Sequence, residues 1–319
     1  MTDDVSHTME RRRLRRRVTI WRTLAFVAII GALVFVGLRT AGVGQSGSST
    51  GYIARVAIDG VITEDREQLK LLQRLRKNEG VKAVILAINS PGGTTTGGEA
   101  LYEEIRLLAD AKPVTAVFGT LATSAAYIVG LSADHIVARG NSITGSVGVI
   151  FQWAQVTELL DNLGVKVNEI KSGTLKAEPS PFTIPSQEAR EVTRELIENS
   201  QEWFLSLVRE RRSIDPATIP GLTEGRIFVG RQALTYKMID AIGGEREAVA
   251  YLERERGIKA DLPIRDRKPK RKTPLDEFIG ASAAAFVRAI GLEAVLGPVV
   301  DGSLGILQPP GLMSIWRPS

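Results

Sequence analysis

Apolar segments with the period of β-strands alternate with helical segments between residues 53 and 170, and this alternation restricts the fold more than any other feature. Leucines at positions 69, 72 and 75, and apolar residues at 101, 105 and 108, recur at helical spacing. Strands joined by helical crossovers pair in parallel, so the pattern predicts an α/β domain with a largely parallel sheet. The predicted strands are Ile53–Ile58, Ala83–Ile88, Val114–Phe118, Ile136–Ala138 and Val165–Ile170.

Two further helices are predicted after this region. The first runs from Gln187 to Arg212, with Ser186 as its N-cap, and ends before residues 215–216 (DP). The second covers Glu245 to Glu255. The α/β domain is therefore expected over residues 51–262.

The N-terminus has the pattern of a membrane anchor. An apolar run from Thr23 to Leu38, bounded by Arg22 and Arg39, follows six arginines between positions 11 and 17. Sixteen residues at helical rise cover roughly 24 Å, so flanking residues must complete a membrane span. We expect a cytoplasmic segment at residues 1–19, one transmembrane signal anchor at residues 20–39 and a Gly/Ser-rich linker at residues 40–50.

This topology places the domain on the periplasmic side of a bacterial inner (cell) membrane, as a single-pass protein with a cytoplasmic N-terminus. A cleaved signal peptide is the alternative, with residues 42–44 (GVG) as a weak cleavage site. In both interpretations the rest of the chain is exported across the membrane.

The net charge of +5 equals the charge of residues 1–39, which hold eight arginines and three acidic residues. A basic segment beside an apolar run is typical of a topology signal rather than of nucleic-acid binding. We therefore expect no nucleic-acid partner.

Residues 263–319 are predicted to form a basic linker and an amphipathic C-terminal extension. Basic residues between positions 265 and 272 precede a helical apolar face between positions 279 and 294. This extension could contact anionic headgroups, or it could be a solvated linker with a helix packed on a neighbouring subunit. The sequence does not choose between them.

Composition limits the chemistry. The chain has no cysteine and two histidines, which excludes disulfides, a thiolate site and a His-rich zinc site. We expect no metal and no cofactor. His7 precedes the arginine run, so His135 is the only histidine in the α/β domain, and a hydrolase of this composition needs another base.

Two segments could supply a nucleophile and an oxyanion hole. Residues 89–93 (NSPGG) follow a predicted strand, and their backbone N–H groups could face a developing oxyanion; a plain turn is the alternative. Residues 121–127 (LATSAAY) place Ser124 at the start of a helix, where the helix dipole and small neighbours suit a nucleophile. An ordinary N-cap is the alternative.

Residues 171–176 (KSGTLK) could supply the base. A lysine acts as a base only when neutral, and its ordinary pKa of roughly 10.4 must fall by about three units, which burial away from carboxylates can provide. Two surface lysines are the alternative. The residues alone do not decide between Lys171 and Lys176.

Together these segments resemble the signal peptide peptidase A family, S49-type serine proteases with a crotonase/Clp-protease-like fold. The resemblance implies that Ser124 is the nucleophile and Lys176 the general base. Backbone N–H groups of Gly92 or Gly93 and of Ala125 would form the oxyanion hole. Ser146, within residues 144–149 (TGSVGV), would orient the lysine amine; its alternative role is that of a turn hydroxyl.

The resemblance extends from about residue 52 to residue 256, and residues 225–233 and 239–244 match the family's closing segment. This chain departs from the family in two places. Residues 125–126 (AA) replace a glycine pair after the nucleophile, and residues 237–238 (KM) replace Gly-Leu. We expect the second change to affect local packing rather than activity.

The family further implies a membrane-anchored endopeptidase that degrades cleaved signal peptides and other apolar peptides, assembled as a ring-shaped homo-oligomer. Two alternatives remain from the sequence. One is a non-catalytic membrane scaffold. The other is a crotonase-like acyl-CoA enzyme, which would require the opposite topology because CoA is cytoplasmic.

Overall fold

The computed structural model describes residues 20–24, 26 and 51–270. The chain divides into two units, Met1–Gly51 and Tyr52–Ser319. In the first, residues 20–24 are helical. Most of the predicted anchor and linker, and the extension beyond residue 270, lie outside the described residues. Within the ranges that are described, none of the helices combines the length and the hydropathy that crossing a membrane requires.

A single mixed sheet forms the centre of the second unit. Its order is β6-β5-β3-β2-β1-β8, with β4 pairing with both β3 and β7. All strand pairs are parallel except β5 with β6. The strands are β1 (Tyr52–Ile62), β2 (Val81–Gly93), β3 (Val114–Thr123), β4 (His135–Ala138), β5 (Ile143–Gly145), β6 (Ile227–Val229), β7 (Ala241–Ile242) and β8 (Ile264–Arg267). The predicted α/β fold with a largely parallel sheet is confirmed.

Helices cover both faces of this sheet. They are α1 (Arg66–Lys77), α2 (Thr95–Ala111), α3 (Ala125–Leu131), α4 (Thr157–Asn162), α5 (Gln187–Arg212), α6 (Gly230–Thr235) and α7 (Glu245–Arg256), with a 3-10 turn at Pro216–Thr218. Ile53 and Ile85 face α7, where they pack against Leu252. The opposite face carries the larger core, which includes Leu86 and Ile105. Because both faces are buried, the central strands are apolar along most of their length.

The two helices predicted after the alternating region are confirmed. The hydroxyl of Ser186 accepts the N–H of Ala189 at 3.1 Å, which is N-cap geometry. Helix α7 ends at Arg256 and is followed by Gly257, which has a left-handed backbone.

The predicted strand Val165–Ile170 is wrong. These residues form no regular secondary structure, and Val165, Val167 and Ile170 are exposed. The sheet position beyond β5 is taken by β6, which begins more than sixty residues after Val165. An apolar run that has no neighbouring strand to pair with cannot become part of the sheet.

Lys237 occupies a backbone conformation that favours glycine. Its φ is +58°, and it follows the end of α6. The N–H of Met238 donates to the carbonyl of Ala233 at 2.8 Å, and the N–H of Lys237 donates to that of Leu234 at 3.0 Å. These two bonds form a Schellman motif, in which the left-handed position is usually glycine.

Replacing Lys237 with glycine should stabilise the protein by about 1 kcal/mol, because glycine removes the clash of a Cβ in the left-handed region. Chemical denaturation measures the change in the free energy of unfolding. Lys237→Ala is the control, since it keeps the Cβ and should bring no gain. Equal stability of the glycine and alanine variants would contradict the prediction.

Candidate active site

Ser124 lies between β3 and α3 with φ of 55° and ψ of −124°, which is unusual for a residue with a side chain. Such conformations cost of order 1–3 kcal/mol and persist where the surrounding structure imposes them. The half-buried Ser124 hydroxyl makes no capping bond to the first turn of α3. Ser124 therefore occupies the N-cap position of α3, but its side chain does not cap the helix.

Gly92 packs directly against Ser124. A Cβ built on Gly92 would lie 2.8 Å from the Cβ of Ser124 and 2.9 Å from the carbonyl oxygen of Thr123, and the φ of Gly92 is +108°. The hydroxyl of Thr123 donates to the carbonyl of Pro91 at 3.0 Å. Residues 89–93 belong to the end of β2 rather than to a turn after it. The glycine thus allows two strand ends to approach more closely than side chains permit.

Backbone N–H groups near Ser124 differ in their availability. The N–H of Gly92 donates to the buried hydroxyl of Ser90 at 3.1 Å. The N–H of Ala125, at the start of α3, has no acceptor among the described residues. Gly93 has its Cα against β1, because a Cβ there would lie 1.8 Å from the carbonyl oxygen of Ile62. Ala125 is therefore an open donor beside Ser124, while Gly92 is already engaged.

Ser146 reaches the same sheet edge through β5. Thr123 pairs with Gly145, and the N–H of Ser124 donates to the carbonyl of Gly145 at 2.9 Å. Ser146 follows with φ of 50°, and its N–H donates to the carbonyl of Arg226 at 2.9 Å. The Ser146 hydroxyl makes no hydrogen bond within residues 51–270. The structure therefore brings the backbones of Ser124 and Ser146 together without a bond between their side chains.

The two lysines have different surroundings. The Lys171 amine lies 2.8 Å from a Glu169 carboxylate oxygen and 2.9 Å from one of Glu178. Hydrogen bonds to these carboxylates raise the pKa of Lys171 and favour its charged form. Lys176 is exposed, and its amine contacts neither Ser124 nor a carboxylate among the described residues. The structure thus brings Gly92, Ala125 and the two serines together but leaves Lys176 apart from them.

His135 is far from this group. It pairs with Thr115 near the start of β3, whereas Ser124 follows the end of that strand, roughly 30 Å away at strand rise. Its ring stacks on Tyr251 at 3.9 Å, and burial lowers its pKa. Within the described part of the chain, no group of three or more His, Asp or Glu side chains could hold a metal ion.

Three residues support the site through contacts that the sequence did not predict. Ser90 holds the N–H of Gly92. Gly98 leaves room for Ala125, since a Cβ on Gly98 would lie 3.2 Å from that of Ala125. The buried hydroxyl of Tyr127 donates to the carbonyl of Met238 at 2.9 Å. Ser90 and Tyr127 lie within the segments 89–93 and 121–127, but the residue types do not reveal these two bonds. Gly98 had a signal of its own, because a glycine pair in the first turns of a helix is unfavourable without a packing reason.

Residues 150–184, which we name the apolar loop segment, expose many large apolar side chains. This segment also contains Lys171 and Lys176. Apolar side chains exposed singly are normal in monomeric proteins, whereas ten of them within one segment indicate an interaction site. The exposed side chains are Ile150, Phe151, Trp153, Leu159, Leu163, Val165, Val167, Ile170, Leu175 and Ile184.

Ser124→Gly should stabilise the protein relative to Ser124→Ala by about 1 kcal/mol, because glycine tolerates the observed φ and ψ. The free energies of unfolding of the two variants, from chemical denaturation, provide the comparison. Ser206, within α5, is the control. There glycine should be less stable than alanine by about 0.5–1 kcal/mol. The same order at both positions would show that the Ser124 backbone is not strained.

Comparison with known proteins supports a proteolytic function. The model of peptidase family S49 matches residues 106–259, and that of Clp protease matches residues 55–143. A putative protease of Methanocaldococcus jannaschii is 30% identical over 248 residues, which cover 76% of this chain and 78% of the relative. A putative protease of Synechocystis is 30% identical, covering 68% of this chain and 80% of the relative.

A putative signal peptide peptidase SppA of Enterococcus faecium is also 30% identical, covering 67% of this chain and 66% of the relative. The S49 region contains Ser124 and Lys176, and the Clp protease region contains β2 to β4 and β1 from residue 55 onward. The chain therefore belongs to peptidase family S49 and is a serine protease with a Clp-protease-like α/β fold.

Proposed function

We propose that this serine protease is a membrane-anchored endopeptidase in which Ser124 is the nucleophile and Lys176 the general base. The observation that carries the proposal is the strained backbone of Ser124, whose hydroxyl caps nothing, between Gly92 and the open N–H of Ala125. Strain of this kind accumulates at functional sites, where a rigid core can impose it.

The oxyanion hole is assigned to the backbone N–H groups of Ala125 and Gly93. Ala125 starts α3, so its N–H adds the positive end of the helix dipole. Gly92 is the less suitable donor because its N–H is bound to Ser90. Each donor directed at the developing oxyanion contributes roughly 3 kcal/mol of transition-state stabilisation.

The assignment of the base to Lys176 rests on the resemblance to the S49 family, and the surroundings of two other candidates favour it. His135 lies at the opposite edge of the sheet, and Lys171 is held in its charged form by two carboxylates. Lys176 has no carboxylate partner among the described residues. A neutral amine at this position also requires removal from water, and the exposed apolar loop segment around Lys176 is suited to being covered.

In the proposed reaction, neutral Lys176 takes the proton of the Ser124 hydroxyl while the Ser124 oxygen attacks the peptide carbonyl. Ser146 holds the lysine amine in place by a hydrogen bond. Lys176 then protonates the leaving amine, and an acyl-enzyme forms on Ser124. Water, activated by the same lysine, hydrolyses the acyl-enzyme.

Apolar peptides, including cleaved signal peptides, are the proposed substrates. The apolar loop segment offers a surface for extended apolar chains, and a relative that is 30% identical is named a putative signal peptide peptidase. We place the protease domain on the outer side of the inner membrane, attached by the predicted single-pass anchor at residues 20–39. A ring-shaped homo-oligomer would cover the parts of the apolar loop segment that substrate leaves exposed.

Neither alternative function has a specific observation in its favour. A non-catalytic scaffold gives no reason for a strained Ser124 with a free hydroxyl. An acyl-CoA enzyme requires the topology to be inverted.

Ser124→Ala and Lys176→Ala should each reduce cleavage of apolar peptides by at least about a thousandfold, because the nucleophile and its base act as one unit. The measurement is kcat/KM for a fluorogenic apolar peptide with the purified full chain, across pH. Ser206→Ala and Lys259→Ala, at exposed positions away from β3, serve as matched controls. Size-exclusion chromatography checks that the variants assemble like the wild type.

Full activity of assembled Lys176→Ala would eliminate Lys176 as the base. Full activity of Ser124→Ala would eliminate the proposed mechanism altogether. Loss of activity in both variants, with both controls active, is the expected result.

Gly92→Ala should reduce kcat by at least about tenfold, since its Cβ would lie 2.8 Å from that of Ser124 and displace the nucleophile. Gly257→Ala is the matched control. Gly257 also has a positive φ, of 64°, but nothing lies within 4 Å of its virtual Cβ. Both variants should lose some stability in thermal unfolding, and only Gly92→Ala should lose activity. Equal activity of the two variants would mean that the close contact is not needed.

A further inference from the structure

An ion-pair bridge closes the loop that carries Lys176. The Lys171 amine binds Glu169 at 2.8 Å and donates to Glu178 at 2.9 Å. The second carboxylate oxygen of Glu178 accepts the N–H of Ser180 at 3.2 Å. Lys171 therefore links three points of the chain on both sides of Lys176.

Between these points the backbone turns tightly. We name residues 171–178 the lysine loop. The N–H of Lys176 donates to the carbonyl of Gly173 at 3.1 Å, and the N–H of Glu178 donates to that of Leu175 at 3.3 Å. Ala177 has a left-handed φ of 62°. The Lys171–Glu178 contact joins the first and last residues of this loop, so it limits where the Lys176 backbone can lie.

The same bridge pairs the two carboxylates that are closest to Lys176 in the sequence. Glu178 is two residues from Lys176 in the chain, and Glu169 is seven residues away. An unpaired carboxylate near an amine favours the protonated amine. Within residues 51–270, no other charged side chain pairs with Lys171, Glu169 or Glu178. Lys171 is thus the single cation in the described structure that neutralises both carboxylates.

We propose that Lys171 is a positioning residue for the reaction: it closes the lysine loop and pairs with Glu169 and Glu178, so that neither carboxylate is left to hold the Lys176 amine in its charged form. The inference rests on the proposed function of Lys176 as the base. It gives the first lysine of the KSGTLK segment a role that is distinct from proton transfer.

The bridge persists at the pH values where the enzyme would work. Lys171 holds the pKa of the Glu178 carboxyl below its ordinary value, and the two carboxylates hold the pKa of Lys171 above its ordinary value. Glu178 is therefore ionised at every pH above the ordinary pKa of a glutamate. Lys171 is protonated at every pH up to the ordinary pKa of a lysine and somewhat beyond it. Across neutral pH both partners stay charged.

The test is the pH dependence of kcat/KM for Lys171→Met, measured with the purified full chain and a fluorogenic apolar peptide. The acidic limb of the profile should move to higher pH by about one unit, because two free carboxylates favour protonated Lys176. Activity at neutral pH should fall by about tenfold and recover at higher pH. Lys171→Arg, which can keep both ion pairs, should retain the wild-type limb.

A triple variant separates the effect of the unpaired carboxylates from the effect of opening the lysine loop. Combining Lys171→Met with Glu169→Gln and Glu178→Gln removes the cation and both carboxylates, so the acidic limb should return to its wild-type position. Lys166→Met, an exposed lysine of the same segment without an ion pair in the described structure, is the control for loss of a lysine. A limb that stays displaced in the triple variant would overturn the electrostatic role.

If Lys171→Met does not assemble, a second pair of variants carries the test. Thr174 is exposed within the lysine loop, two residues from Lys176. Thr174→Glu adds a carboxylate that Lys171 does not neutralise and should move the acidic limb to higher pH, whereas Thr174→Gln should not. Coincident limbs for these two variants would overturn the inference.

Lys176→Ala separates failure of the proposed base, Lys176, from failure of the proposed role of Lys171. If Lys176→Ala is active, the proposed base is wrong and the role of Lys171 falls with it. If Lys176→Ala is inactive while assembled Lys171→Met has the wild-type acidic limb, only the role of Lys171 is overturned. A displaced limb together with an inactive Lys176→Ala supports both.

Discussion

Pairing of β3 with β2 on one side and β5 on the other is the constraint on which the candidate site depends. Carboxyl ends of parallel strands meet at one edge of a sheet, where α/β proteins place their sites. Here the pairing brings Gly92, Ser124 and Ser146 together, although some fifty residues separate the first from the last. The Thr123–Pro91 and Ser124–Gly145 hydrogen bonds fix the strand ends relative to one another.

The core around α3 explains how the strain at this edge is maintained. Every residue of α3 is buried, so the helix cannot shift to relax Ser124. Tyr127 ties α3 to the Met238 carbonyl, and burial raises the pKa of its hydroxyl so that it stays a donor. The replacement of Gly-Leu at residues 237–238 therefore lies in contact with the helix that follows Ser124. The expectation that this replacement affects local packing rather than activity stays a prediction.

The sequence was sufficient for the elements whose pattern and packing agree. The strands β1 to β4 and the helices α1, α2, α5 and α7 were predicted because each buries the face that its periodicity defines. The strand Val165–Ile170 failed because its apolar residues face solvent in the single chain, and periodicity does not reveal which surface covers a side chain. The pairing of β5 with the distant β6 has no local signal either.

Part of the candidate site could be predicted from the sequence, and part could not. The location of Ser124 and of the 89–93 segment could be predicted because each lies at the carboxyl end of an apolar strand, and the sheet assembles such ends at one edge. The choice between Lys171 and Lys176 could not be made from residue types, since it depends on which amine meets carboxylates. In sequence Lys176 is closer than Lys171 to Glu178, yet Glu178 binds Lys171. The folded loop shows that the two amines have different surroundings, which the residue types do not reveal.

Two requirements act on the Lys176 amine in the proposed mechanism, and they have different origins. Freedom from carboxylates is local, because Lys171 occupies Glu169 and Glu178 within the same chain. Removal from water is not local, because Lys176 and the apolar side chains around it are exposed in the single chain. Burial disfavours a charged amine far more strongly than a surface position does. Covering of the apolar loop segment by a peptide or by a neighbouring subunit would therefore remove Lys176 from water and activate it as the base. When the peptide is the cover, the same contact also binds the substrate.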